Sequence, residues 1–316
     1  MSSRKFRNAV LPASHKMGRY RIIKRMASGG FGVVYLAQRD DGEMVAMKEF
    51  LPSIFVCRKK GVTVKVEASD EARRFQQGLE SFFREADTLA KIQNDKIVPI
   101  WDVFQANGTA YFTMPIEKGG TIQALARLGK FGTSEADVRS LFIEACKGVE
   151  VLHSKGLLHL DIKPSNLWVR PDRSVVVLDL GASRWEDEEI KNLNLARTPG
   201  FAAPEQHSTF NTESIPLSTR TDIYGICASM LSFLSGHPPI SAPERRVFHP
   251  PVAWSMMGQV SPALLHVIDK GMSLRPALRY DSVAHLRAAL ENVPRLSTSS
   301  EIFKGISSPF QFLKKN

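Results

Sequence analysis

Apolar and polar positions alternate along the first third of the chain and then shift to helical spacing, so the sequence divides into a β-rich and an α-rich half. Residues 20–23, 33–37 and 44–48 read as strands, with a glycine-rich turn between Ser28 and Gly32, and together they predict a β-meander. A polar stretch from Arg58 to Gln77 gives way to a helix over 79–92, where Leu79, Phe82, Phe83, Ala86, Leu89 and Ala90 recur on one face. Two further strands, near 98–104 and 111–116, flank Asn107-Gly108, the dipeptide favoured in a two-residue hairpin turn. Beyond Gly119-Gly120 the pattern predicts helices over 136–153, 221–234, 261–272 and 282–290, with Pro164, Pro171, Pro199 and Pro204 punctuating the middle. After Val293 the sequence turns Ser-rich and ends in Phe310-Gln311-Phe312-Leu313-Lys314-Lys315, a tail. The expected organisation is therefore α+β: an extension over 1–17, a small β-rich lobe with one main helix over 18–116, a larger mainly helical lobe over 117–293, and a tail over 294–316.

Composition narrows this only slightly. A chain of 316 residues with 43% hydrophobic and 23% charged side chains is long enough for two lobes and too apolar for wholesale disorder. No apolar run approaches the roughly 20 residues needed to cross a bilayer, and Met1 to Arg7 lacks the apolar core of a secretion signal, so the expected location is the cytoplasm. Cys57, Cys146 and Cys227 are scattered without metal-site or disulfide spacing and read as buried thiols. The formal charge of +10 is spread along the chain without an aromatic-interleaved basic motif, which argues against a nucleic-acid partner.

Candidate chemistry begins at Ala27-Ser28-Gly29-Gly30-Phe31-Gly32, between two strands, where small residues let backbone amides approach phosphate oxygens. Such a loop is weak evidence by itself. Lys48 follows in the apolar run Val45-Ala46-Met47-Lys48, where a bare ammonium is costly without an anion to meet, and Glu85 on the next helix is a candidate partner.

The order of glycine loop, Val-Ala-x-Lys and helix Glu resembles the small lobe of protein kinases, and the second half carries the matching elements. His159-Leu160-Asp161-Ile162-Lys163-Pro164-Ser165-Asn166 resembles the catalytic loop, Asp179-Leu180-Gly181 the metal-binding element, and Ala203-Pro204-Glu205 the element that closes the activation segment. The resemblance covers roughly residues 18–293 and implies a bilobal kinase fold and transfer of the γ-phosphoryl of ATP, with Mg²⁺ or Mn²⁺, to Ser or Thr of protein substrates. It also implies the roles. Asp161 accepts the substrate proton, Lys163 neutralises the transferring phosphoryl, and Asn166 and Asp179 hold the metal. Ala27, Gly29, Gly30, Gly32, Lys48 and Glu85 serve the phosphates. Val34 and Ala46 cover the adenine, Trp168 faces it from below, Met114 is the gatekeeper, Pro115 offers a carbonyl and Glu117 an N–H. Thr198-Pro199 resembles the substrate-docking loop of the Ser/Thr branch. Glu205 is expected to pair with Arg279, and Asp222 to brace the catalytic loop. The runs 48–52, 82–86 and 107–111 look most like eukaryotic-like Ser/Thr kinases of bacteria.

Departures from the family pattern refine the expectation. Ala27 stands where the first loop glycine belongs, a one-methyl change of small cost unless positive φ is needed. Leu160 replaces the Arg that receives an activation-loop phosphate in many kinases, and the only hydroxyls between Asp179 and Glu205 are Ser183 and Thr198, with Glu186-Asp187-Glu188-Glu189 adding negative charge. Activity independent of activation-loop phosphorylation is expected. Thr121 and Ser165 occupy places that are acidic in Arg-directed kinases, which argues against a preference for basic peptides. Residues 49–84 form an insertion that either caps the small lobe or binds a regulator. In the tail, Ser297, Thr298, Ser299 and Ser300 are candidate autophosphorylation sites, and Phe303, Ile306, Phe310 and Phe312 candidate docking residues. Two alternatives keep the fold: a pseudokinase scaffold, which the intact Lys48, Glu85, Asp161, Asn166 and Asp179 oppose, and a small-molecule kinase, which Ala203-Pro204-Glu205 opposes.

Overall fold

The computed structural model describes residues 10–30, 32–52, 56, 58, 61–66, 69–128, 134–186, 198–207, 215–248 and 260–294. Among them, β1 (Lys16–Met17), β2 (Tyr20–Ser28), β3 (Gly32–Arg39), β4 (Met44–Phe50), β5 (Asp102–Ala106) and β6 (Thr109–Met114) form one antiparallel sheet in the order β1-β2-β3-β4-β6-β5. Helix α1 (Ser69–Ala90) is inserted between β4 and β5. Asn107 and Gly108 both take positive φ, 51° and 70°, and join β5 to β6 as the two-residue turn expected from the dipeptide. The strand expected over 98–104 begins only at Asp102, because Pro99 cannot donate to a ladder, and the one expected over 111–116 ends at Met114 for the same reason at Pro115.

The central strands β4 and β6 are buried on both faces, while β2 and β5 keep exposed positions along their length. On one face Phe50, Ala110 and Phe112 pack against Phe82 and Ala86 of α1. On the other, Tyr35, Val45, Met47 and Tyr111 lie under Leu11 and Met17 of the N-terminal segment and under Leu51, Val56 and Val64 of the insertion. The insertion thus acts as a cap, and residues 10–17 belong to the small-lobe core rather than standing apart from it. Arg58 anchors the cap. Its guanidinium reaches Glu49 through two hydrogen bonds, both residues being wholly buried, and the same carboxylate accepts the hydroxyls of Tyr35 (2.7 Å) and Tyr111 (2.5 Å). Helix α1 starts ten residues before the expected 79, since its first turns are largely exposed and show little apolar periodicity; Phe75, against Phe50, is the packing residue there (ring centroids 5.4 Å apart).

The second lobe is helical: α2 (Ile122–Arg127), α3 (Glu135–His153), α4 (Thr219–Ser235), α5 (Ala242–Phe248), α6 (Pro262–Gly271) and α7 (Val283–Glu291). Ser134, Ser261 and Ser282 cap α3, α6 and α7, each side chain accepting a backbone N–H of the first turn. Helix α4 is buried from Thr221 to Leu231 and forms the axis on which α3, α6 and α7 pack. Short strands β7 (Gly120–Thr121), β9 (Leu167–Val169) and β10 (Val175–Val177) form a small sheet under the first lobe, and β8 (Leu157–Leu158) pairs with β11 (Arg184–Trp185) beside it. Cys146 and Cys227 are buried, and burial pushes the Cys227 thiol up to about 12. Cys57, Phe31, Asp187 to Glu189 and the tail positions Ser297 to Phe312 lie outside the described residues. No helix among the described residues is long and apolar enough to cross a membrane.

Candidate active site

Strand periodicity assembles the roof of a cleft. Val34 and Leu36 on β3, Ala46 and Lys48 on β4, and Phe112 and Met114 on β6 share one face, since Val34 pairs with Lys48, Ala46 with Met114 and Lys48 with Phe112. Ala27 lies in β2 opposite Val34 and has no positive φ, so the methyl in place of a glycine is accommodated. Gly29 donates to the Gly32 carbonyl at 2.9 Å and closes the turn. A Cβ on Gly32 would meet the Glu49 carbonyl at 2.4 Å, so only glycine fits there, whereas Gly29 and Gly30 face open space.

Lys48 is the centre of the upper half. Its Nζ donates to Glu85 Oε1 at 2.7 Å and Asp179 Oδ1 at 3.0 Å, joining β4, α1 and the segment after β10. Burial alone would lower the lysine, but the Asp179 and Glu85 carboxylates outweigh it and hold the ammonium above its usual range. Lys48 draws Asp179 down to about 2. Glu85 is pushed up to about 7 by burial and by Asp179, with Lys48 opposing the rise. Asp179 takes a left-handed backbone, φ 62° and ψ 78°, which Asp tolerates better than most residues.

The lower half is a closed ring of hydrogen bonds. Lys163 Nζ reaches Asp161 Oδ2 (2.6 Å) and Thr198 Oγ1 (3.0 Å), and the Thr198 hydroxyl donates to Asp161 Oδ1 (2.8 Å). Asn166 Nδ2 donates to the Asp161 carbonyl (2.9 Å) and to Oδ2 (3.2 Å), which turns Asn166 Oδ1 the other way. The Leu178 N–H bonds the Asn166 carbonyl at 2.9 Å and so brings Asp179, the next residue, beside Asn166. Asp222 braces the loop as expected: it accepts the backbone N–H groups of His159 and Leu160, both at 2.8 Å, and pairs with His153. Glu205 forms the expected buried pair with Arg279, at 2.6 and 2.9 Å, and also accepts Thr221.

Met114, Pro115 and Glu117 lie where β6 gives way to the second lobe. Among the described residues no hydrogen bond takes up the Pro115 carbonyl or the Glu117 N–H. Trp168, on β9 opposite Thr121 of β7, donates Nε1 to the Lys118 carbonyl at 3.1 Å. Sequence reasoning missed Arg170, which binds the Glu117 carboxylate with two nitrogens (2.7 and 2.6 Å), and the Glu49–Arg58 pair. Arg170 lies 53 positions from Glu117, too far along the chain for spacing to announce the pair.

A metal would find oxygen donors at the back of the cleft. Asn166 Oδ1 and the Asp179 carboxylate, with a side chain 46% exposed to the cleft, match the preference of Mg²⁺ for a few hard oxygens, the rest coming from water and phosphate. Among the described residues no group of three or more His, Cys, Asp or Glu is gathered for a metal.

Comparison with known proteins agrees with this geometry. The protein kinase domain model matches residues 20–287. The Ser/Thr-protein kinase PknD of Chlamydia trachomatis serovar D is 28% identical over 320 residues, covering 87% of this chain and 31% of the relative, and PknD of Protochlamydia amoebophila is 25% identical, covering 86% and 30%. The chain thus spans about a third of the length of these curated relatives. The solved apo form of PpkA-294 superposes with a TM-score of 0.77 at 27% identity, covering 89% of this chain and 99% of that one. With Lys48, Glu85 and Asp179 joined across the lobes beside the Asp161–Lys163 ring, and with curated relatives that are Ser/Thr-protein kinases of bacteria, the chain belongs to the protein kinase family.

Proposed function

We propose that this chain transfers the γ-phosphoryl of ATP to Ser or Thr hydroxyls of proteins and does so in the cytoplasm. The observation that carries the reading is Lys48 bridging Glu85 and Asp179, which puts a fixed cation and a metal-binding carboxylate opposite the Asp161–Lys163 ring. A loose phosphoryl-transfer transition state is stabilised by positioning and by positive charge, and these residues supply both. Asp161 orients the acceptor hydroxyl and takes its proton, while Lys163 swings from Asp161 to the transferring oxygens. Asn166 and Asp179 would hold Mg²⁺, which when bound would supply further positive charge to the phosphates. The Pro115 carbonyl and Glu117 N–H meet the adenine edge, Val34 and Ala46 cover its face, and Trp168 lies below.

Two finer readings follow from the same atoms. Neither hydroxyl between Asp179 and Glu205 is offered as an activating phosphosite: Ser183 is 6% exposed and donates to the Leu180 carbonyl, and Thr198 is part of the Asp161 ring. Leu160, in place of the phosphate-receiving Arg, is buried with Leu158 and Ala182. The enzyme is therefore active without activation-loop phosphorylation. Thr121 caps α2, Ser165 contacts Asn166, and Glu117 is engaged by Arg170, so none of these positions offers a free carboxylate to an arginine-bearing substrate.

The test is transfer of labelled phosphate from Mg²⁺–ATP to a generic protein acceptor by the wild type, Asp161→Ala and Asp179→Ala. Loss in both variants is expected; equal incorporation in all three would sink the kinase reading in favour of a scaffold.

A further inference from the structure

Residues 117–119 of the hinge are each gripped from β9 and the residue after it. Arg170 forks onto Glu117, with Nε to Oε2 at 2.7 Å and a terminal nitrogen to Oε1 at 2.6 Å. Trp168 Nε1 holds the Lys118 carbonyl at 3.1 Å. Gly119, at φ 121°, passes so close to Val169 that a Cβ would lie 1.9 Å from the Val169 carbonyl oxygen. The remaining arm of Arg170 donates to the Asp95 carbonyl at 2.8 Å, in the loop between α1 and β5. That loop is itself fixed to the second lobe, since the Lys96 carbonyl accepts the Val177 N–H at 2.9 Å and Lys96 Nζ pairs with Glu144 at 2.8 Å.

We propose that Arg170 is a positioning residue for the nucleotide: its guanidinium locks the hinge at Glu117 to the α1–β5 loop and to β9, and thereby sets the direction of the Glu117 N–H. The inference rests on the reading of Pro115 and Glu117 as the adenine-facing groups. Arg suits the task, because a planar fork fixes a carboxylate in one orientation while its third nitrogen holds a second element, which a lysine point charge cannot do. The pair is partly buried, 24% and 17% exposed, and so is less screened than a surface pair. Arg170 touches none of Asp161, Lys163, Asn166 and Asp179, so its loss falls on nucleotide binding and spares the chemical step.

The experiment uses the full chain as wild type, Arg170→Met, Arg170→Lys, Glu117→Gln and the exchanged pair Glu117→Arg with Arg170→Glu. Direct ADP binding by calorimetry is measured beside kcat and the ATP KM on a generic acceptor. Losing a charge-assisted fork at Arg170→Met should raise the ATP KM and the ADP dissociation constant about tenfold, with kcat at saturating ATP within about twofold of wild type. Arg170→Lys should recover only part of the loss, and the exchanged pair more than either single change. Unchanged ADP affinity in Arg170→Met and Glu117→Gln, with a lowered melting temperature, overturns the proposal and leaves a plain brace. A wild type that binds ADP but transfers no phosphate overturns the kinase reading while the clamp is still judged by binding; a wild type that binds no ADP overturns both.

Discussion

Removing Arg58 tests whether the insertion is held to the small lobe by charge or by apolar contact. Arg58 and Glu49 are both wholly buried, and Arg58 also donates from Nε to the Val62 carbonyl within the insertion. Arg58→Met keeps most of the side-chain volume but leaves the Glu49 carboxylate in the core with only the hydroxyls of Tyr35 and Tyr111 as donors. Breaking a buried pair by deleting one partner costs about 3–5 kcal/mol, because the orphaned charge stays desolvated. Against a total stability of about 5–15 kcal/mol this is a large share. At about 2–4 °C per kcal/mol for a unit of this size, it lowers the melting temperature by about 10 °C. Adding Glu49→Gln removes the stranded charge yet keeps an oxygen for the two tyrosines, so the double variant should regain most of the loss. Thermal melts followed by circular dichroism read both effects. An Arg58→Met protein melting within about 2 °C of wild type, or a double variant no more stable than the single, would refute the orphaned-charge argument.

The same cluster predicts a pH dependence. Burial and the neighbouring Glu49 carboxylate raise Tyr35 and Tyr111 well above their ordinary value, so their contribution to stability is complete below about pH 10 and fades as pH rises further. The urea midpoint should therefore fall as pH rises from about 10 to about 12, and less steeply in a Tyr35→Phe, Tyr111→Phe protein; parallel curves would contradict the assignment. If Trp168 faces the adenine as proposed, Trp168→Ala should raise the ATP KM several-fold by removing that ring and the hydrogen bond to the Lys118 carbonyl, and unchanged nucleotide affinity would exclude Trp168 from the adenine site.

How much of this was legible in the sequence depended on whether a residue announces itself locally. Lys48 was legible because an ammonium in an apolar strand demands an anion, and Glu85 because helical periodicity gave it an address. The Asn107-Gly108 turn was legible for a similar reason, since its chemistry acts within two residues. Glu49 was not, because β4 is buried on both its faces, which erases the alternation that separates inward from outward positions. Nor were Arg58 and Arg170, whose partners are fixed by tertiary placement rather than spacing. The early start of α1 escaped notice because periodicity reports a buried face, and the first turns of this helix are mostly exposed.

The proposed independence of the activation segment from phosphate rests on Leu160, which makes a packing contact with Leu158 and Ala182. Its side chain is 3% exposed, and its backbone is at φ 64°, a conformation that costs a non-glycine residue about 1–2 kcal/mol. That cost is offset locally, since the Leu160 N–H bonds Asp222 at 2.8 Å and its carbonyl accepts Gln206 Nε2 at 2.7 Å. Gln206 directly follows Glu205, so the catalytic loop is tied to the end of the activation segment by an uncharged bond. Leu160, Leu158 and Ala182 fill this site with apolar side chains, and the proposed independence from phosphorylation follows from the absence of a guanidinium at position 160. Leu160→Ala should therefore destabilise the fold by about 2–5 kcal/mol, and Leu160→Met by less than about 1.5 kcal/mol. Phosphatase treatment of the wild type should leave kcat within about twofold. Phosphorylation of Thr198 should abolish activity, because it sets a dianion against Asp161, 2.8 Å from the hydroxyl that would carry it. A wild type that loses most of its rate on dephosphorylation at Ser183 or Thr198 would show that a phosphate, and not this apolar contact, holds the segment.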